Sequence, residues 1–161
     1  MKVDEEKIKF LIHESNLIEG YNIPAYDEIS LEAWHRLCEV GFKNLGSFEI
    51  GLIQKMIVSL QKDLRPLWRG HFRGVACQDV WIGGKPGMRW QDVNAAMTQW
   101  VMTYEAKDPV KAHIEFEKIH PFVDGNGRTG RMILWWMQAH LDQPLSVITH
   151  AERHAYYKWF K

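Results

Sequence analysis

Cysteine is scarce in this chain. Cys38 and Cys77 are the two present, and their spacing matches no metal-ligand or redox pair. That excludes a disulfide scaffold and leads us to expect two free thiols in a reducing cytosol. Net charge is missing too: 20 basic and 20 acidic residues cancel, and the pI is about 7.1. Without a basic excess there is no footprint for nucleic acid. Long apolar runs are also absent. The densest, from Met132 to Met137, is far too short to span a membrane. The N-terminus, Met1-Lys2-Val3-Asp4-Glu5-Glu6-Lys7, mixes charges and has no apolar segment of the secretory kind, so a cytoplasmic protein is expected. What remains is a chain of 161 residues, a length that suits one domain spanning 1–161 with a real core.

One stretch concentrates the chemistry: His120-Pro121-Phe122-Val123-Asp124-Gly125-Asn126-Gly127-Arg128-Thr129-Gly130-Arg131. A helical pattern runs up to Ile119 and stops at His120, because Pro121 restricts the residue before it and cannot continue a helix. Gly125 and Gly127 bracket Asn126 and suit a tight turn with exposed N–H groups. A new helix is expected from near Arg128, with Arg128 and Arg131 on one face of its first turn. Cations are unfavourable at that positive end of the helix dipole. Glycine turn, free N–H groups and two arginines together describe a pocket for a strongly anionic group such as a polyphosphate. Asp124 adds one carboxylate, enough for Mg²⁺ held jointly with phosphate oxygens. His120 titrates in the range of a general base. The set points to transfer of a phosphate-containing group onto a hydroxyl.

The stretch closely resembles the signature of the Fic-domain family, H-P-F-x-D/E-G-N-G-R-x-x-R, and matches it at every specified position. The resemblance implies a mainly α fold: a bundle of about six to eight helices with one short β-hairpin, the flap, over the active site. It implies transfer of AMP from ATP to a Ser, Thr or Tyr hydroxyl of a target protein. By the same resemblance His120 is the base and Asn126 a catalytic partner. Asp124 holds Mg²⁺, and the nucleotide lies against Asp124, Gly125, Asn126, Gly127, Arg128, Thr129, Gly130 and Arg131. Family members that act as kinases carry lysine where this chain has Gly127, which favours AMP transfer here.

Upstream, Ile8, Leu11, Ile12, Ser15 and Ile18 share one side of a helix expected over about 4–19, with Gly20 as its stop. Glu19 then falls in the last turn, at the negative end of the dipole, and wants a cation from elsewhere. Ser15-Asn16-Leu17-Ile18-Glu19-Gly20 also resembles the family's inhibitory motif, S/T-x-x-x-E-G/N. There the glutamate pairs with the signature's second arginine, here Arg131, and keeps the ATP γ-phosphate from settling productively. Residues 4–20 would then be an inhibitory helix packed on the core, with Ser15 and Glu19 as its working residues.

The rest reads mostly as scaffold. Residues 21–26, with Pro24, read as a linker, followed by a helix over about 30–40 and a third capped by Ser47, with Leu52, Ile53, Met56, Ile57 and Leu60 as its apolar stripe. His35 reads as a surface histidine. From Gly70 to Gly84 β-branched and aromatic residues alternate with glycines, so a short hairpin ending at Gly83-Gly84 is expected. By resemblance, Trp81, Ile82, Gly83 and Gly84 close the flap, which adds the target segment as an extra strand. A fourth helix is expected over about 90–105, with Trp90, Val93, Met97, Trp100 and Tyr104 in the core. Asp108-Pro109 opens the helix that delivers His120, with His113 in a packing role. The apolar run after the signature predicts a helix buried on all sides. A last helix ends the chain near Phe160, and the resemblance places Tyr156 and Tyr157 toward the adenine. Many relatives continue into another domain; this chain stops at Lys161, as a minimal member or a fragment would.

The expected activity is therefore an autoinhibited, Mg-dependent protein adenylyltransferase. Self-modification and a homodimer are compatible with it, and neither nucleic acid nor membrane is expected as a partner. Two other readings stand beside it. Glu19 could direct water onto an AMP–protein bond, making a deAMPylating hydrolase or a bifunctional switch. Alternatively the chain could bind nucleotide or target without turnover, a role with no use for His120.

Overall fold

Capping explains where the helices begin. In the computed structural model, which describes residues 1–74 and 79–161, the side chain of Asp4 accepts a hydrogen bond from Glu6 N at 3.0 Å and starts α1, Glu5–Ile18. Helix α2 is Pro24–Cys38. It starts earlier than the expected 30, and residues 24–26 are not linker. Pro24 sits in the first turn, where its fixed φ is an asset and its missing N–H costs nothing. Helix α3 is Ser47–Ile57; Ser47 is its first residue rather than its cap, and Gly46 N donates to Glu49 Oε2 at 3.0 Å. The stripe of α3 ends at Ile57, so Leu60 falls in the following turn and is exposed.

Helix α4, Trp90–Thr103, buries Val93, Met97 and Trp100. Helix α5, Pro109–Ile119, opens on Asp108 Oδ1, which accepts from Val110 N at 3.0 Å and Lys111 N at 3.2 Å. Helix α6, Asn126–His140, is enclosed by α1, α2, α3 and α5, and every residue from Arg128 to Ala139 is buried. Trp135 and Trp136 lie at the centre of the apolar core, and Phe42 and Tyr104 pack on Trp136. Helix α7 is short, Arg153–Tyr157, followed by a 3₁₀ turn, Lys158–Phe160. The fold is mainly α, with seven α-helices among the described residues. No helix there is long and apolar enough to cross a membrane.

The hairpin differs from the expectation. Strand β1, Trp81–Ile82, pairs antiparallel with β2, Lys85–Pro86, so Gly83 and Gly84 are the turn and not the end. Their φ values, +55° and +80°, are those a two-residue hairpin turn demands, and glycine supplies them freely. Residues 70–74 of the expected hairpin are not strand, and its residues 75–78 lie outside the described residues.

Candidate active site

Helix α5 ends in an unusual way. His120 is its C-cap with φ 51° and ψ 62°, a left-handed conformation that costs a non-glycine residue about 1–2 kcal/mol. One buried arginine holds the chain there. Arg73 Nη2 donates to Ile119 O at 3.1 Å, Arg73 Nε to His120 O at 2.7 Å, and Arg73 N to Pro121 O at 2.7 Å. Three successive carbonyls that the helix end leaves without intrahelical donors are satisfied together. The His120 ring is half-buried, and burial, with the Arg73 charge, pushes its pKa down to about 4. It is neutral at pH 7, as a proton acceptor must be.

The loop that follows is shaped from within. Asn126 Oδ1 accepts from Phe122 N at 2.8 Å, and Asn126 Nδ2 donates to Phe122 O at 2.9 Å. Both ends of the amide hold the turn, so Asn126 acts as a positioning residue in this arrangement. Gly125, at φ +76°, has no room for a Cβ, which would lie 2.6 Å from Val58 Cγ1. Asp124 is gripped on three sides: Oδ1 by Gly125 N at 2.6 Å, Oδ2 by Gln61 Nε2 at 2.8 Å, and its carbonyl by Gln54 Nε2 at 3.0 Å. Gln54 Oε1 in turn accepts from Gly70 N at 2.7 Å. Among the described residues no three His, Cys, Asp or Glu converge as a metal cage. The single carboxylate fits an ion that takes its remaining ligands from phosphate and water.

Helix α6 starts here, with the N–H groups of its first turn lacking intrahelical partners. Arg128 is buried. It donates to Gln61 Oε1 and, at 3.4 Å, to Ile57 O, and the Tyr21 ring covers its face at 4.5 Å. Arg131 is buried as well. Its Nε donates to Ser15 Oγ at 2.8 Å, and its Nη2 donates to Ser15 O at 3.2 Å and Glu19 Oε1 at 2.7 Å. The Glu19 carboxylate lies over Gly127, where an added Cβ would be 2.5 Å from Glu19 Oε1. Thr129 and Gly130 are buried in the same turn.

Glu19 and Tyr21 reach the two arginines because α1 closes on Gly20, at φ +84°, with Gly20 N bonded to Leu17 O and Tyr21 N to Asn16 O. Behind them, burial raises the Glu117 carboxyl to about 7, against Gly130 and beside Arg131. His113 hydrogen-bonds Tyr156 Oη at 2.8 Å, and burial, with the Arg131 charge, pushes it down to about 3. Tyr156 is thus buried beneath Arg131, whereas Tyr157 is 41% exposed and Trp81 of the hairpin 73% exposed. His120, Asp124, Asn126, Arg128, Arg131, Ser15 and Glu19 come together; Tyr157 and residues 81–84 share no hydrogen bond with them among the described residues. Arg73, Gln54, Gln61, Tyr21 and Glu117 escape sequence reasoning, since each acts on a residue distant in the chain.

A family model described as the Fic/DOC family matches residues 49–138. A protein adenylyltransferase Fic of Aedes aegypti is 27% identical over 158 residues, covering 89% of this chain and 30% of its own length. One of the same description from Drosophila melanogaster is 29% identical over 133 residues, covering 68% of this chain and 26% of its own. The chain therefore spans less than a third of these curated relatives. Among solved structures, a Fic domain containing signaling protein of Bacteroides thetaiotaomicron superposes with a TM-score of 0.73 at 19% identity, over 95% of this chain and 70% of that one. Fic-1 of C. elegans, residues 134–508, gives 0.71 at 18% identity, over 96% and 54%. At such identities these two likenesses bear on the fold.

Proposed function

The chain belongs to the Fic/DOC family, and from that premise we propose that it transfers AMP from ATP to a hydroxyl of a target protein, under restraint by the end of α1. The observation that carries this is the Glu19 carboxylate at 2.7 Å from Arg131, over Gly127 at the N-terminus of α6. An anion already stands where the helix dipole and a buried guanidinium favour one. That carboxylate stands in for a phosphate of the nucleotide.

When Glu19 withdraws, Arg131 joins Arg128 and the first N–H groups of α6 in receiving the triphosphate. A divalent ion held between Asp124 and the phosphates would supply positive charge toward the leaving pyrophosphate. The hairpin presents the target segment as an added strand along one of its edges. Neutral His120 accepts the hydroxyl proton as that oxygen bonds to the α-phosphorus; the bond to the bridging oxygen breaks and pyrophosphate leaves. The negative charge of the bound nucleotide favours the imidazolium and lifts the His120 pKa from its depressed value. A cytoplasmic setting belongs to the same proposal: Cys38 is a free thiol, and burial pushes it up to about 11.

The test is Glu19→Gly. Incorporation of labelled AMP from ATP, self-labelling included, should rise by about 5–150-fold, the span of ordinary coupling between two sites. An unchanged rate with ATP still bound removes the inhibitory reading. One observation favours a second reaction. Glu19 is 37% exposed while one of its oxygens holds Arg131, so the carboxylate could also direct water onto an AMP–protein bond. That reading requires AMP release from a pre-modified target, lost in Glu19→Gly.

A further inference from the structure

Gln61 lies in the turn after α3, far in sequence from the signature, with a side chain that is 2% exposed. Its amide stands between two opposite charges of the site. Nε2 donates to Asp124 Oδ2 at 2.8 Å, and Oε1 accepts from Arg128 Nη2. The orientation of this amide is forced. A carboxylate can only accept and a guanidinium can only donate, so the NH₂ must face Asp124 and the carbonyl must face Arg128.

The backbone beneath it is clamped. Gln61 N donates to Val58 O at 3.0 Å, and Gln61 O accepts from Arg69 Nη2. Arg69 also donates to Ser59 O at 3.1 Å and Leu64 O at 3.0 Å, so one guanidinium pins the whole turn. A turn tied at so many points, carrying a buried amide aimed at two signature residues, is a support for the site and not a solvated loop.

We propose that Gln61 is a positioning residue for the reaction, a neutral spacer that keeps Asp124 and Arg128 from collapsing onto each other. In a partly buried site a carboxylate and a guanidinium attract strongly. Paired directly, each would cancel the charge the other must offer: Asp124 to a metal ion, Arg128 to phosphate. The amide satisfies one hydrogen-bonding position of each and leaves their charges standing. This inference rests on the AMP-transfer reading, since it is a metal–nucleotide complex that needs both charges at once.

The experiment titrates ATP into the Glu19→Gly protein and into the same protein carrying Gln61→Met or Gln61→Glu. Each titration is done calorimetrically, once with excess Mg²⁺ and once with EDTA. Gln61→Met removes the spacer at similar volume. Gln61→Glu keeps the shape, repels Asp124 and neutralises Arg128. In both, the ratio of ATP affinity with Mg²⁺ to that without should fall on the order of 10–100-fold, the usual cost of losing the group behind a metal ligand. A merely structural role would lower the two affinities together and leave the ratio unchanged.

An unchanged ratio in both folded variants overturns the proposal, and so does loss of the fold in both. If the Glu19→Gly parent binds Mg·ATP with the expected Gln61 dependence yet incorporates no AMP, the reaction assigned above fails while Gln61 keeps its role. If the parent binds no ATP at all, both fall.

Discussion

Arg128 and Arg131 are the same residue type on the same turn of the same helix, each almost completely buried, yet they are held in opposite ways. Arg128 is held by neutral groups close at hand: the Gln61 amide, the Ile57 carbonyl and the Tyr21 ring. Arg131 is held by Ser15 and by the charge of Glu19, which comes from the far end of the chain and is partly exposed. A neutral buried grip is a fixture, because removing it leaves a buried charge without partners. A charged, solvent-accessible grip is exchangeable, because another anion can take its place. The contrast gives one arginine to the architecture of the site and the other to its control.

The largest effect should come from asking whether that control reaches the chemistry. If releasing Arg131 exposes a competent centre, the gain in Glu19→Gly must pass through His120. Glu19→Gly/His120→Ala should lose about 10²–10⁴-fold in AMP incorporation relative to Glu19→Gly, the usual contribution of a positioned base. Calorimetry should show ATP binding within a few-fold of the parent. Retained turnover in the double variant would mean that His120 is not the proton acceptor, and that Arg131 controls something other than this reaction.

A smaller effect should separate the surroundings of the two arginines by pH. Arg131 has a second acid behind it. Burial raises Glu117 from an ordinary 4.5 to about 7, so its protonated form fits the fold best. Its contribution to stability is complete below pH 4.5 and is lost as pH rises toward 7. Two histidines act in the other direction. His113 and His120, pushed down from 6.5 to about 3 and about 4, contribute above pH 6.5, and that contribution drains away as pH falls through those values. Glu117→Gln mimics the protonated acid. Its melting temperature should exceed that of the parent at pH 8 by on the order of 5 °C, and the gain should vanish at pH 4.5. An equal gain at both pH values would show that Glu117 is not titrating beside Arg131.

What the chain order revealed, and what it hid, follows the same line as the two arginines. The cradle from His120 to Arg131 was readable because its parts are consecutive: a helix stop, a glycine turn and a helix start leave local marks. Glu19 was readable because a carboxylate in a last helical turn is locally misplaced. Gln61 and Arg73 left no mark. A glutamine in a polar turn and an arginine among glycines resemble solvated residues, and their partners lie 67 and 47 positions away. Pro24 is ambiguous in sequence because proline stops a helix from within but starts one well, as it does in α2. The pair Gly83-Gly84 reads as an end from its glycines alone; its position between Trp81-Ile82 and Lys85-Pro86 is the signal for a turn.

The smallest effect concerns Tyr21, which belongs to the controlling segment yet touches the fixed arginine. The close of α1 on Gly20 sends Glu19 to Arg131 and Tyr21 to Arg128, and Tyr21 also stacks on Tyr26 of α2 at 4.4 Å. A cation over an aromatic face contributes about 0.5–2 kcal/mol. Tyr21→Leu keeps an apolar body against Tyr26 and removes the π face. Because Gln61 and Ile57 still hold Arg128, the loss should loosen the end of α1 without opening it. AMP incorporation should rise a few-fold at most, well short of Glu19→Gly, and the double variant should match Glu19→Gly alone. A rise in Tyr21→Leu as large as in Glu19→Gly would erase the contrast, because it would make Arg128 a point of control as much as Arg131.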